Sequence, residues 1–229
     1  MGPRLSGIRR YQRGRTLVKS LWIVSALSSL AIALFSYRYL ASIGPLAPNV
    51  MQNLARVPWL DVHVAGAATA LLIAPLQLVP QLRGSRLHRW LGRVYVAGCL
   101  TGGIGGVFLA FGTTAGPMAT LGFAFLGAFW IVCTVIAWRM AVAGRLADHR
   151  AWMIRSFALT LSAVTLRAYL PAADLFGLPP LASYRAISFL CWVPNILIAE
   201  LILISQRRRR LVRTRPELAP LATAPEAHM

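Results

Sequence analysis

Long apolar runs broken by short polar segments dominate the chain. A window of about 20 residues, the length that crosses roughly 30 Å of hydrocarbon at 1.5 Å per residue, picks out six. They run from Leu17 to Leu40, Trp59 to Val79, Trp90 to Phe111, Met118 to Trp138, Trp152 to Leu170, and Tyr184 to Ser205. The pattern predicts an all-α integral membrane protein with six transmembrane helices. Helices two to five, residues 59–170, form its central four-helix bundle, and helices one and six are more peripheral. The first run is too long for a signal-peptide core and lacks a clear cleavage site, so it reads as a retained signal anchor. Aromatic residues such as Trp59, Trp90, Trp138, Trp152 and Tyr184 sit near the ends of the runs, where amphipathic rings are best accommodated. Three regions follow: a basic tail over 1–16, a membrane domain over 17–205, and a tail over 206–229. That last tail is first basic and then, from Arg213, rich in Pro and Ala with no apolar period, as in a disordered segment.

Composition agrees with residence in a bilayer. Of the 229 residues, 57% are hydrophobic and 13% charged, against about one quarter charged in soluble domains. Cys99, Cys133 and Cys191 lie inside apolar runs without CxxC spacing, which suits core packing better than a disulfide or zinc framework.

A formal charge of +18 would suggest nucleic-acid binding in a soluble protein, but its distribution argues against that partner. Alternate loops assigned to alternate sides put 20 of the 24 Lys and Arg residues on one side; the other keeps only Arg38, Arg56, Arg167 and Arg185. By the positive-inside rule this places both termini in the cytoplasm. The run Arg207 to Arg210 after the last helix then acts as a stop-transfer anchor or meets anionic lipid headgroups of the bilayer.

An ionisable side chain near the bilayer centre costs about 2.5 to 3.5 kcal/mol, so those within spans tend to face the bundle interior and mark sites. At the basic ends stand His88, Arg89 and Arg93 on helix three, His149, Arg150 and Arg155 on helix five, Glu200 on helix six and Gln77 on helix two. At the other ends stand Asp61 and His63 on helix two and Arg167 on helix five, a candidate polar cluster. Helical phase puts His88 at the head of a face that continues through Gly92, Tyr95, Cys99, Gly102 and Gly106. His149, Met153, Ser156 and Thr160 form the corresponding stripe. Two imidazoles thus come to one depth with arginines beside them. Such a pair could ligate the iron of a b-type haem, with cations near the propionates; the His-Arg pairs could equally hold lipid headgroups. The glycine face reads either as tight helix packing or as room for a flat ligand such as a porphyrin or a quinone. His63, His88 and His149 cannot share one metal, because the first lies about 30 Å from the others. Neither GxSxG, HExxH, Walker nor Rossmann motifs occur, and "TGGIGGVF" falls inside a span where helix bonds already use its backbone donors.

The order "HVAGAATALLIAPLQL", "RLHRWLGRVYVAG", "FWIVCTVIAWR" and "DHRAWMIRSFALTLSAVTLR" resembles a bacterial family of predicted integral membrane proteins, domain of unknown function 2306, over about Trp59 to Leu170. The resemblance implies a bacterial cytoplasmic (inner) membrane location and brings no activity. A second similarity, limited to "LHRWLG" at Leu87 to Gly92, is to the ascorbate-reducible transmembrane b-type cytochromes. It implies His88 and His149 as ligands of one haem on the cytoplasmic side and His63 as the helix-two ligand, but helix four offers no histidine for a second haem. Three functions stay open: a haem b redox protein exchanging electrons with quinone, a small proton-linked transporter using Asp61, His63, Arg167 and Glu200, or a non-catalytic subunit or assembly factor that docks lipid or protein. The topology has its own check. Fluorescent-protein fusions at both termini should fluoresce, and alkaline phosphatase fusions there should be inactive.

Overall fold

The computed structural model describes residues 3–214, with side chains described over 20–208. From residue 215 onward, the tail expected to lack structure lies outside the described residues, as do the basic side chains before residue 20. Among the described residues nine α-helices follow in order: α1 (Pro3–Tyr37), α2 (Pro48–Met51), α3 (Arg56–Gln77), α4 (Arg86–Phe111), α5 (Pro117–Val142), α6 (Leu146–Thr160), α7 (Ser162–Leu175), α8 (Pro180–Leu190) and α9 (Val193–Thr214), with a 3-10 turn at Pro80–Leu82 between α3 and α4. No strand occurs among the described residues. Among the described residues five stretches are long and apolar enough to span: Ser20–Tyr37 of α1, then α3, α4, α5, and Pro180–Arg208 across α8 and α9. The remaining apolar run, Trp152–Leu170, falls on α6 and α7, two shorter helices that meet at Leu161.

Local chemistry sets these ends. Ser85 caps α4, its hydroxyl accepting from the His88 amide at 3.0 Å, and Pro117 opens α5 at a position where no amide hydrogen is needed. α5 closes with Gly144 at φ +72, and the amides of Arg145 and Gly144 donate to the carbonyls of Met140 and Ala141 at 2.9 and 3.1 Å. This is a Schellman closure, which glycine enters without steric penalty.

The tightest interface joins α3 to α4. A Cβ on Gly98 would stand 2.8 Å from the Gly66 carbonyl oxygen, and one on Gly102 would stand 2.6 Å from the Ala67 amide nitrogen. The backbones touch there because no side chain intervenes, the small-xxx-small solution to packing in lipid. The glycine face of α4 is therefore largely filled by α3. Around this pair, Tyr95, Cys99, Trp130, Leu159, Cys191 and Trp192 form the main buried cluster. α8 and the start of α9 join it as well: the Trp192 indole donates to the Gly122 carbonyl at 3.2 Å.

Two spans carry short breaks in the helical ladder that lie against each other, at Leu161 and at Cys191–Trp192, although Leu161 and Cys191 both keep right-handed helical φ/ψ. Along α6 and α7 the hydroxyls of Thr160, Ser162 and Thr165 bond back to carbonyls three or four residues earlier, which competes with the helical ladder. In the last span Pro194 removes an amide donor just after Cys191. The breaks satisfy one another. Thr165 donates to the Cys191 carbonyl, and the Asn195 amide donates to the Cys191 and Ala158 carbonyls at 3.1 and 3.3 Å.

Between them lies a buried hydroxyl network. Tyr95 Oη is 2.8 Å from Ser156 Oγ and 2.9 Å from Thr160 Oγ1. The Trp130 indole donates to Thr160 Oγ1 at 2.9 Å, and Thr134 Oγ1 is 2.7 Å from Ser156 Oγ. Every polar atom of this set has a partner, as a lipid environment demands. Substituting Gly102→Leu should abolish accumulation of folded protein, since backbone would have to move. Tyr95→Phe should fold with thermal stability lowered by about 0.5–2 kcal/mol, the range of hydrogen bonds within membrane bundles.

Candidate functional site

Two cavities lie at the end of the bundle that carries Arg38, Arg56 and Arg167, away from His88 and His149. The larger holds about 690 Å3 and is bounded by α1, α3, α4, α5 and α7. Its wall is mostly apolar, with Val64, Leu109, Phe123, Leu126, Leu166 and Leu170 prominent, and its floor is Trp130 and Thr160, the upper edge of the hydroxyl network. The volume lies within the roughly 300–1,000 Å3 of sites that hold small molecules.

His63 and Arg167 face this cavity together. The His63 ring lies over Gly106, where a Cβ would stand 3.1 Å from Nδ1. Its Nδ1 is 2.7 Å from the Gly102 carbonyl oxygen. A carbonyl only accepts, so Nδ1 carries the proton and Nε2 of the neutral ring is left to accept a hydrogen bond or to ligate. Arg167 is half-buried; Nη2 donates to Ser36 Oγ at 2.9 Å and Nη1 to the Ala163 carbonyl at 3.3 Å. The ion pairs among the described residues are Arg145 with Asp148 at 2.7 Å and Arg155 with Glu200 at 2.5 Å. Arg167 thus has hydrogen bonds to neutral oxygens and no carboxylate of the described residues within reach.

Asp61 is placed elsewhere. Two positions from His63 it points about 200° around α3, and it lines a second pocket of about 380 Å3 with Arg38 and Arg56. The two cavities share Tyr39 and Leu60 in their walls. At the mouth of the larger stand Asn49, Asn53, Thr113 and Tyr184; the Asn53 amide also donates to the Leu109 carbonyl at 2.7 Å, tying the entry of α3 to the exit of α4.

At the basic end, His88 stands in the first turn of α4 and His149 in the first turn of α6. His149 Nδ1 donates to the Ala137 carbonyl at 2.8 Å, leaving Nε2 open, while His88 Nδ1 is buried without a partner. Gln77 is buried beside them, 3.5 Å from the His88 carbonyl, and its Oε1 faces Gly92. The arginines divide: Arg89 donates to the Gly84 carbonyl at 2.8 Å, Arg93 and Arg150 are exposed, and Arg155 forks onto both Glu200 oxygens at 2.5 and 2.9 Å with its guanidinium 4.6 Å from the Trp152 ring. Among the described residues no three His, Cys, Asp or Glu side chains converge as a metal site, and neither cavity reaches the His88 and His149 rings.

The residues around the cavities that sequence reasoning left without a role are Arg38, Arg56, Asn49, Asn53 and Tyr184. A signal was present for the arginines, which stand on the side where positive charge is otherwise scarce. For the Arg155–Glu200 fork, Glu200→Gln and Arg155→Gln should each lower thermal stability, and the double variant should lose less than the sum of the two. Such a double-mutant cycle isolates the coupling of the pair.

A sequence model of the family described as predicted membrane protein (DUF2306) matches residues 60–203. The match extends beyond Leu170 through α8 and into α9, the elements that complete the buried cluster around Trp192. No curated protein and no solved structure matches the chain.

Proposed function

The chain belongs to this family of membrane proteins, and we propose that it binds an amphipathic molecule inside its bundle and acts as a membrane carrier for it. The observation that carries the reading is Arg167: a guanidinium without a carboxylate partner, turned toward a 690 Å3 cavity whose wall is otherwise mostly apolar. A charge in such surroundings is stabilised by an opposite charge or by strong acceptors. A ligand with an oxygen-bearing head at Arg167 and His63 Nε2 and an apolar body along Phe123, Leu126 and Leu166 supplies both. A phospholipid or a quinone meets that description. In favour of transport is the irregularity at Leu161, between the cavity-lining Thr160 and Ser162, a point where the helix pair α6 and α7 can flex beside a bound molecule. Glu200, tied to Arg155, serves structure in this reading.

A second reading concerns the basic end, where His88 and His149 would be axial ligands of a haem b iron. In its favour is the state of the two rings. A backbone carbonyl orients His149 and leaves Nε2 free, as is usual for ligating histidines, and His88 keeps a buried nitrogen without a partner. Protein purified after expression with ample haem should then show a Soret band that His88→Ala or His149→Ala removes and His63→Ala retains. A colourless protein ends this reading.

For the carrier reading, the test is extraction of protein purified in mild detergent followed by mass spectrometry. A stoichiometric amphiphile should accompany the wild type, fall several-fold in Arg167→Gln and fall less in His63→Gln. In proteoliposomes the same variants should slow movement of that molecule between leaflets. Equal retention in wild type and Arg167→Gln would remove the reading.

A further inference from the structure

The smaller pocket narrows the class of ligand, an inference that rests on reading the larger cavity as its binding site. Arg38 is the wall of this pocket. Nη1 donates to the Ile43 and Pro45 carbonyls, both at 3.1 Å, and Nη2 to the Tyr39 hydroxyl at 3.2 Å. Its guanidinium carbon lies 4.5 Å from the centroids of both Phe35 and Tyr39. So held, Arg38 fixes the turn through Ser42 and Gly44, at φ 54 and 75, and supplies a stationary positive charge.

Arg56 and Asp61 differ from Arg38. Both line the pocket, yet among the described residues they form no ion pair and no side-chain hydrogen bond with each other. A guanidinium and a carboxylate that face one space without meeting leave two separated poles, and the ligand complementary to both is a zwitterion. The positive side, Arg56 in the field of Arg38, suits a phosphodiester, which guanidinium recognises in a fork. The negative side, Asp61, suits an ammonium. A quaternary ammonium would call for an aromatic cage, whereas Tyr39 is the one aromatic residue in this wall; a primary ammonium, which donates hydrogen bonds to a carboxylate, fits instead. Tyr39 and Leu60 then form the threshold to the 690 Å3 cavity, with His63 and Arg167 just inside it.

We propose that the Arg38–Arg56–Asp61 pocket receives the zwitterionic head of a phosphatidylethanolamine-type lipid, with one acyl chain passing Tyr39 and Leu60 into the larger cavity. The linking ester oxygens fall at the level of Arg167 and His63, so one ligand uses both cavities.

The test is native mass spectrometry of the full chain with phosphatidylethanolamine, phosphatidylglycerol, phosphatidylcholine and free O-phosphoethanolamine. Phosphatidylethanolamine should be retained several-fold better than the other two lipids. Asp61→Asn should erase its advantage over phosphatidylglycerol without reducing total lipid, Asp61→Glu should keep it, and Arg56→Gln should weaken both phospholipids. Asp61 is exposed and Arg56 half-buried, so these variants are not expected to disturb folding. Equal retention of all three lipids by wild type and Asp61→Asn, with loss still seen in Arg167→Gln, overturns the head assignment and leaves the cavity reading standing. Recovery of a quinone, or binding of O-phosphoethanolamine with no lipid retained, also overturns it. Absence of any amphiphile from the wild type removes both.

Discussion

A charged side chain inside a bilayer has to be matched by an opposite charge, by water or by a ligand, and much of this molecule is organised around how its arginines meet that requirement. Arg155 is matched within the chain: Glu200 takes both ends of its fork and Trp152 covers its face. Arg38 is held at both Nη atoms by backbone carbonyls and the Tyr39 hydroxyl, while its buried Nε has no partner among the described residues. Arg167 and Arg56 are not matched by carboxylates of the described residues, and each of them opens onto a cavity. The contrast between the two ends of the bundle is functional in this account. At one end the half-buried Arg155 is closed by Glu200, whereas at the other Arg167 and Arg56 face cavities.

The space itself is a product of packing. Glycines let α3 and α4 touch backbone to backbone, which draws those helices together on one side and seats the His63 ring over Gly106. On the other side, bulky residues of α5 and α7 and the interrupted helices keep a volume open above Trp130 and Thr160. The satisfied hydroxyl network beneath supplies a rigid floor. Rigidity below and unmatched charge above are what a binding site in a membrane requires.

Much of the fold was legible in the sequence because hydropathy alone sets where a chain can cross lipid. Five of the six apolar runs appear as stretches long enough to span, and the sixth as α6 with α7; the Gly98, Gly102 and Gly106 spacing read either as a close helix contact or as room for a flat ligand, and α3 fills most of that face. The runs Trp152–Leu170 and Tyr184–Ser205 read as continuous spans, and the irregularities at Leu161 and Cys191 were missed, although the hydroxyls of Thr160, Ser162 and Thr165 and the ring of Pro194 mark where they fall. The site was legible only in part. His63 and Arg167 stood out as polar residues in spans, and helical phase brought His88 and His149 to one level. Asp61, grouped with His63 by proximity in sequence, faces another pocket because two residues on a helix point to nearly opposite sides. Cavity volume has no signature in a single sequence, since it depends on which side chains of separate helices fail to meet.

The most direct measurement is an experimental density map of the protein extracted with its native lipids. Elongated density should run from the Arg38–Arg56–Asp61 pocket past Tyr39 into the larger cavity, with an oxygen-bearing part within hydrogen-bond distance of Arg167. A collapsed cavity, or Arg167 turned away to pair with a carboxylate of the chain, would contradict it.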